Sequence, residues 1–323
     1  MIKTDLSLFN PDIICDSGQI FRMYRVDGSG SVFLIYSGDR RLKVERSGDD
    51  VFFCCSEEEY ESYWRCYLDM DRDYDALAAK IDQKDGFLAR ACLAGKGLRI
   101  LRQDLFEMII SFIISQQKQI PSIRKCVEAL CERFGQKHAP DGADNAERTG
   151  KKDASEGAVG LENGCVGDCG KKEENAWYGF PSPHSIATGG PEGLKGLSLG
   201  YRERYIYETS CLFLQIEDEL REAVDKRDFA VARNILLSLT GVGEKVADCI
   251  LLFACGDLDS FPVDTHIISI MDREYGEKTD GRLSPARARE RVRKVFGKYK
   301  GFSGLVQQWI FAYEISGQNK RKD

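Results

Sequence analysis

Short apolar runs separated by turn residues dominate the first hundred positions of the chain. Four runs rich in Val, Ile, Phe and Tyr cover residues 20–26, 32–36, 41–46 and 51–55. Gly and Asp stand between them, and these residue types adopt the backbone angles of tight turns. The pattern predicts an antiparallel β meander, which helices over 57–68 and 74–81 follow.

Apolar residues at helical spacing characterise the chain from about residue 98 onward. The clearest stripe consists of Leu105, Met108, Ile109, Phe112 and Ile113. Asp104 and Glu107 fit a capping box at its start, and Ser284 fits an N-cap before Pro285. Further helices are predicted over 121–134, 204–216, 229–239, 244–255 and 285–296. The order of elements therefore predicts an α+β fold, with the β part first.

The segment 135–175 differs in kind from its surroundings. It holds eight glycines and fifteen charged residues but almost no large apolar side chain. Such a segment buries too little surface to offset the entropy of ordering it, so we interpret it as a flexible loop. Cys165 and Cys169 lie inside it. Free thiols are the simpler interpretation, because a metal site would need two further ligands.

Composition narrows the class of protein. The 323 residues are 42% hydrophobic, which is ample for a buried core, and no run of about 18 apolar residues predicts a membrane span. The first residues lack the long apolar segment of a signal peptide. Twelve cysteines in a chain of this size are typical of reduced cytosolic thiols rather than of a disulfide scaffold.

The net charge of −6 argues weakly against a nucleic-acid partner, because binding needs only a local basic face. One candidate face exists: residues 285–300 contain seven basic side chains and a single acid, Glu290. This run is either a solvated helix surface or a DNA-binding surface.

One short segment combines a phosphate-binding turn with a candidate nucleophile. Gly241 and Gly243 form a Gly-x-Gly turn between two predicted helices, and such a turn exposes N–H groups at a helix N-terminus. Lys245 follows in the first helical turn, where the helix dipole disfavours a cation and favours the nucleophilic amine. Asp264, nineteen residues later, either caps another helix or stabilises a developing cation. A lysine and a carboxylate beside a phosphate site are what cleavage of an N-glycosidic bond requires.

The hairpin at 239–245, together with Pro262 and Asp264, resembles the helix–hairpin–helix DNA glycosylases, and more closely the 8-oxoguanine DNA glycosylases. Five further blocks carry the closer resemblance, at residues 17–22, 101–104, 178–182, 199–205 and 245–249. The resemblance implies a small N-terminal antiparallel β domain, similar to a TATA-binding-protein repeat, at residues 1–98. This domain would pack on an all-α helix–hairpin–helix catalytic domain at 99–323, with the flexible insertion at about 135–175.

The same resemblance implies roles for individual residues. Lys245 matches the nucleophile and Asp264 the catalytic aspartate. Gly18 matches a glycine whose backbone carbonyl accepts the N7–H of 8-oxoguanine, a donor that guanine lacks. Cys249 and Phe311 match the residues that sandwich the extruded base, although Phe311 alone would be read as core.

Other matches concern the base edge and the DNA backbone. Gln307 matches a glutamine that hydrogen-bonds the base, and His266 matches a phosphate contact. Taken alone, Gln307 would be a surface residue and His266 a structural one. Tyr201 and Arg202 match residues inserted at the vacated position in the duplex, which extrusion leaves open.

The chain departs from the family pattern at two positions. Gln117 stands where the family has an asparagine-rich stretch, so we expect it to fill the gap opposite the orphan base. Ser122 replaces an arginine that reads the orphan cytosine, which predicts relaxed opposite-base selectivity. The last cysteine is Cys255, so the four C-terminal cysteines of an iron–sulfur cluster are missing and no metal cofactor is expected. A structural monovalent cation at the hairpin, residues 239–243, is the one ion that we consider.

The predicted function is a bifunctional glycosylase and abasic-site lyase that acts on 8-oxoguanine in double-stranded DNA. We expect a monomer that is cytoplasmic and nucleoid-associated if the source is prokaryotic, with no membrane contact. One alternative is an alkylbase glycosylase, which shares the fold but lacks the hairpin lysine. Another is a non-catalytic helix–hairpin–helix DNA-binding module, which needs neither Lys245 nor Asp264.

Overall fold

A five-stranded antiparallel sheet forms the N-terminal part of the computed structural model, which describes residues 1–26, 28, 30–139, 176–276 and 283–317. The strands are β1 Ile2–Asp5, β2 Met23–Arg25, β3 Val32–Ser37, β4 Arg40–Ser47 and β5 Asp50–Cys54. Their order is β1-β5-β4-β3-β2, so the predicted meander is confirmed and β1 is added beside β5. Phe33 pairs with Val44, which pairs with Phe53, and all three side chains are buried.

Short helices surround this sheet. They are α1 Pro11–Asp16, α2 Glu57–Glu59, α3 Arg65–Tyr67, α4 Tyr74–Ala78 and α5 Gly86–Ala94. A π-helical turn, Tyr60–Trp64, joins α2 to α3, so the predicted helix over 57–68 is present with a local irregularity. Asn10 caps α1 by accepting hydrogen bonds from the N–H groups of Asp12 and Ile13.

Nine longer helices build the rest of the described chain. They are α6 Leu105–Ser115, α7 Ile120–Phe134, α8 Pro183–Leu194, α9 Arg202–Asp225, α10 Phe229–Ser238, α11 Glu244–Phe253, α12 Thr265–Tyr275, α13 Pro285–Phe296 and α14 Ser303–Ile315. Every residue of α6 from 105 to 114 is buried, and this helix packs against α7, α9 and α11. The predicted α+β fold is confirmed.

Two large hydrophobic cores and one small cluster lie under these elements. The smaller of the two cores belongs to the sheet, and the larger one fills the space between the helices. The small cluster consists of Tyr24, Val26, Leu34 and Tyr36. Phe87, Leu88 and Ala91 of α5 belong to the larger core, and α5 packs on α14. The helical core therefore includes residues from before position 98, where we placed the domain boundary.

A short strand at the start of the predicted flexible loop pairs with a strand that follows the loop. β6 Lys137–His138 pairs antiparallel with β7 Trp177–Tyr178, and the ring of His138 stacks on Trp177 at 4.2 Å. The prediction of a loop from residue 135 was therefore wrong for residues 137–138. Cys165 and Cys169 lie outside the described residues.

Only half of the predicted capping box at α6 forms. Asp104 Oδ1 accepts a hydrogen bond from the N–H of Glu107 at 2.8 Å, as a cap should. The Glu107 carboxylate instead accepts from the N–H of Gly38 at 3.1 Å, in the turn between β3 and β4. Glu107 therefore joins the central helix to the sheet.

Candidate active site

The hairpin between α10 and α11 is built on two glycines with different tasks. Gly241 has a φ of +85°, and a Cβ there would lie 2.7 Å from the ring of Tyr205, so only glycine fits. Gly243 is the N-cap of α11 and has open space around it. A phosphate can therefore approach the N-terminus of α11 without meeting a side chain at Gly243.

Lys245 lies in the first turn of α11, half-buried. Its Nζ is 5.2 Å from the ring centroid of Phe112, which belongs to the central helix α6. Cys249 follows one turn later and is buried. Burial raises the pKa of the Cys249 thiol to about 11, although the nearby side chain of Lys245 opposes the shift. The thiol is therefore neutral at physiological pH and serves as an apolar wall.

Asp264 is the N-cap of α12, as one of the two alternatives predicted. Its Oδ1 accepts a hydrogen bond from the N–H of Ile267 at 2.8 Å. Its other carboxylate oxygen has no hydrogen-bond partner among the described residues. Capping therefore fixes the carboxylate in position and leaves one oxygen available for a second task.

Gly18 is held by a set of hydrogen bonds from its neighbour. The fully buried side chain of Gln19 donates to the Arg99 carbonyl and accepts from the N–H of Leu101, both at 2.9 Å. The Gln19 carbonyl accepts from the side chain of Gln103 at 2.7 Å. These bonds connect two of the sequence blocks that carry the family resemblance, and they fix the backbone beside Gly18.

One small cavity brings the predicted catalytic and base-binding residues together. It is lined by Ser17, Gly18, Phe112, Lys245, Cys249, Phe253, Pro262, Asp264, Gln307, Gln308 and Phe311. All six residues predicted for catalysis and base binding are among them. Gln307, which would be a surface residue on sequence alone, is only 3% exposed.

A wider groove continues from this cavity along the hairpin. Gln117, Gly243 and His266 line the groove, and Lys245 and Asp264 lie where groove and cavity meet. The exposed His266 ring stands perpendicular to Phe311, with 5.9 Å between the ring centroids. The groove is thus a continuous path from the hairpin to the cavity.

Comparison with known proteins identifies the family. Residues 1–109 match the 8-oxoguanine DNA glycosylase N-terminal domain. Residues 110–298, more than half of the chain, match the HhH-GPD superfamily of base excision DNA repair proteins. The chain belongs to the HhH-GPD superfamily. The resemblance to 8-oxoguanine glycosylase/lyases within this superfamily is confirmed by the N-terminal match and by the relatives that follow.

Two curated relatives of this chain are N-glycosylase/DNA lyases. The probable enzyme of Methanothermobacter thermautotrophicus is 32% identical over 206 residues, which is 58% of this chain and 61% of the relative. The enzyme of Saccharomyces cerevisiae is 26% identical over 256 residues, which is 71% of this chain and 60% of the relative. The chain thus spans about three fifths of the length of these relatives.

Solved structures match over more of the chain. Clostridium acetobutylicum 8-oxoguanine glycosylase/lyase, in complex with double-stranded DNA containing cytosine opposite 8-oxoguanine, has a TM-score of 0.77 and 29% identity. The match covers 96% of this chain and 93% of that one. The 3-methyladenine DNA glycosylase of Archaeoglobus fulgidus has a TM-score of 0.66 and 20% identity, covering 97% of this chain and 98% of that one. The second likeness shows the shared fold alone.

Gln117 occupies a strained position in this HhH-GPD protein. It is exposed in the loop between α6 and α7, and its φ is +52°. Its neighbours hold the loop: the Gln116 side chain donates to the Gly241 carbonyl at 2.8 Å, and Lys118 Nζ donates to the Ser198 carbonyl at 2.9 Å. A non-glycine residue with positive φ persists only where its surroundings impose it.

Tyr201 and Arg202 have different environments. Tyr201 is 49% exposed, next to Tyr205. Arg202 is buried, and its guanidinium donates to the carbonyls of Leu199 and Gln116. The structure therefore leaves Tyr201 available for contact with DNA, whereas Arg202 supports the loop that carries Gln117.

The basic run forms the amphipathic helix α13, which buries Ala288, Val292 and Phe296. Arg287 and Arg293 are exposed on the opposite side. Arg289 forms an ion pair at 2.6 Å with Glu244, which is the residue before Lys245. Part of the basic face is thus neutralised by the hairpin helix.

Sequence reasoning missed a buried polar cluster between the sheet and the helices. Burial raises the pKa of Glu107 to about 7, although the guanidinium of Arg22 opposes the shift. Arg22 is itself buried and donates to Glu128 at 3.3 Å and to the Tyr178 carbonyl at 2.5 Å. The only signal in the sequence was a carboxylate inside an otherwise apolar helical stripe.

Proposed function

We propose that this chain is an 8-oxoguanine DNA glycosylase with abasic-site lyase activity. The observation that carries the proposal is the cavity, because a lysine, a carboxylate and the residues matched to base binding all line it. The substrate is double-stranded DNA in which 8-oxoguanine is flipped out of the stack, because the sugar and base are otherwise shielded.

Lys245 is the proposed nucleophile. Its neutral amine attacks C1′ of the damaged nucleotide, the N-glycosidic bond breaks and the base leaves with the bonding electrons. Asp264, whose second oxygen is free, stabilises the oxocarbenium character that develops on the sugar. The amine then forms a Schiff base at C1′ as the sugar ring opens and O4′ takes up a proton. In the β-elimination that follows, loss of a proton from C2′ forms the C2′–C3′ double bond, and the 3′ phosphate leaves with the electrons of the C3′–O bond.

Base recognition depends on the other walls of the cavity. The Gly18 carbonyl accepts the N7–H that only the oxidised base carries, and the neutral Cys249 thiol and Phe311 sandwich the ring. Gln307 binds the base edge from α14. The hydrogen-bonded Gln19 keeps Gly18 in place, so its carbonyl does not need to be reoriented when the base arrives.

The DNA duplex is proposed to lie along the groove. The N-terminus of α11 at Gly243 and the exposed His266 contact phosphates. Gln117 and Tyr201 fill the gap that the flipped base leaves, and Arg202 acts through the Gln116 carbonyl rather than by insertion. This assignment retains the predicted DNA-binding role for Tyr201 and gives Arg202 a supporting one.

Cofactor, oligomeric state and location belong to the same proposal. Among the described residues, no group of three or more His, Cys, Asp or Glu could hold a metal ion, and no helix is long and apolar enough to cross a membrane. A monovalent cation at the hairpin would have to share carbonyl oxygens, since those of Leu239, Thr240 and Gly241 already accept protein hydrogen bonds. We propose a cytoplasmic monomer that needs no cofactor.

A strand-cleavage assay tests the proposed function against the alternatives. The protein is incubated with a duplex that carries a single 8-oxoguanine opposite cytosine, and with matched duplexes that carry guanine or 3-methyladenine. Cleavage of the 8-oxoguanine strand alone is the expected result. Release of 3-methyladenine without strand cleavage would favour the alkylbase alternative, and binding without any product would favour a non-catalytic module.

A further inference from the structure

Gln308, the residue after the base-edge glutamine, lines the cavity and carries a buried hydrogen-bond acceptor without a partner among the described residues. Its side chain is 3% exposed, as is that of Gln307. Gln308 Nε2 donates to Gln307 Oε1 at 2.9 Å. Gln308 Oε1 is buried and has no partner in the part of the chain that the structure describes.

A buried acceptor without a donor is unfavourable, and most buried polar atoms in native proteins have a partner. Gln308 lines the same cavity as Lys245 and Asp264, so a molecule bound in this cavity can bring a donor to it. The unpartnered oxygen therefore points to a ligand group that carries an N–H.

A hydrogen bond joins the two amides: Gln308 Nε2 donates to Gln307 Oε1. In this arrangement the pair presents acceptors, because one lone pair remains on Gln307 Oε1 and Gln308 Oε1 has no partner among the described residues. A guanine-type edge matches this arrangement, since N1–H and the 2-amino group are both donors. Adenine has an acceptor at N1 and no 2-amino group.

We propose that Gln308 Oε1 accepts a hydrogen bond from the 2-amino group of the extruded base, and that Gln307 and Gln308 together select a guanine-type edge. This inference rests on the proposed function and adds a residue that the family resemblance did not mark. Gly18 then distinguishes the oxidised base from guanine, while the amide pair distinguishes guanine-type from adenine-type bases.

The experiment removes the Gln308 amide and the 2-amino group of the base separately. Single-turnover excision is measured for the wild type and for Gln308→Met on two duplexes, one with 8-oxoguanine and one with 8-oxohypoxanthine, which lacks only the 2-amino group. Gln308→Met should slow excision of 8-oxoguanine about five- to tenfold more than excision of 8-oxohypoxanthine, because losing the bond to Gln307 affects both bases whereas losing the contact with the 2-amino group affects only one. Thermal melting and binding of undamaged duplex control for folding.

Equal slowing on both bases would overturn the proposal, because a merely structural residue affects both substrates alike. If Gln308→Met does not fold, the wild type alone decides: it should excise 8-oxoguanine at least about fivefold faster than 8-oxohypoxanthine, and equal rates would contradict the contact. A wild type that cleaves neither duplex would refute the proposed function and this inference with it. Cleavage with equal slowing refutes only the role of Gln308.

Discussion

Gly18 and Phe311 lie close together in the cavity: a Cβ placed on Gly18 would lie 3.1 Å from Cε1 of the Phe311 ring. The φ of Gly18 is +71°, a conformation that other residues adopt only with strain. The Phe311 ring therefore leaves too little room for a side chain at position 18, where the base contacts the backbone under the proposed function.

Substitution of Gly18 by alanine tests this arrangement. The new methyl group narrows the site beneath Phe311, so we expect single-turnover excision of 8-oxoguanine to fall at least about tenfold, with binding of undamaged duplex unchanged. Because alanine is strained at a positive φ, the substitution should also lower the free energy of unfolding by about 1–2 kcal/mol. Gly48→Ala is the matched control, because Gly48 has a φ of +62° and nothing within 4 Å of its Cβ position. Equal excision by the two variants would remove Gly18 from the site.

Asp264→Asn separates the two roles of this residue. Asparagine caps a helix as well as aspartate does, so we expect the melting temperature to stay unchanged. The loss of the charge should lower single-turnover excision by about 100- to 1,000-fold. Asp228→Asn is the control, since Asp228 caps α10 in the same manner through the N–H of Val231. An Asp264→Asn enzyme with near wild-type turnover would reduce Asp264 to a helix cap.

The sequence predicted those parts of the fold that repeat a local pattern. β3, β4 and β5 are short segments between turn residues, and α6 carries apolar residues along its length that are interrupted only by Glu107, Ser111 and Ser115. β1 was missed because it has only four residues, which are stabilised by pairing with β5 across the chain. α8 was missed because Gly190, at a φ of +67°, and Pro191 lie inside it and read as a loop.

In the site, too, the features that follow from local sequence were predicted and the others were not. Lys245 and Asp264 were found because their chemistry follows from position at a helix start. The burial of Gln19 and Glu107 was not predicted, because each is held by a partner that is distant in the sequence. The burial of Gln308 was not predicted either, because nothing in the sequence indicates that its side chain bonds to its neighbour Gln307. The burial of Arg202 likewise follows from the carbonyl of Gln116, 86 residues away.

Ser122 tests the predicted relaxation of opposite-base selectivity. It lies exposed in the first turn of α7, close in sequence to Gln117, and is too short to present the donor fork that an arginine offers to cytosine. We expect Ser122→Arg to increase the preference for cytosine, since a good contact to a base edge contributes about 1–3 kcal/mol. Single-turnover excision from duplexes with each of the four opposite bases measures this. A wild-type preference for cytosine of about a hundredfold or more, about 2.7 kcal/mol, would contradict the argument.

Glu107 should make stability depend on pH. Its pKa is raised from 4.5 to about 7, so the folded state holds the proton over a range in which the unfolded state releases it. The stabilisation is therefore complete below pH 4.5 and is lost as the pH rises through 7; by the size of the shift it amounts to about 3 kcal/mol. Glu107→Gln retains an acceptor for the N–H of Gly38 but cannot ionise. Urea unfolding at pH 5 and pH 7.5 should show a smaller loss for the variant, and parallel pH profiles would contradict this.

The central claim is that Lys245 forms a covalent bond with the damaged nucleotide. The most direct measurement is reduction with borohydride during the reaction on 8-oxoguanine duplex, followed by proteolysis and mass spectrometry of the trapped adduct. We expect the sugar on Lys245, and we expect Lys245→Gln to bind lesion DNA while neither excising nor trapping. An adduct on another amine, or undiminished trapping by Lys245→Gln, would contradict the assignment.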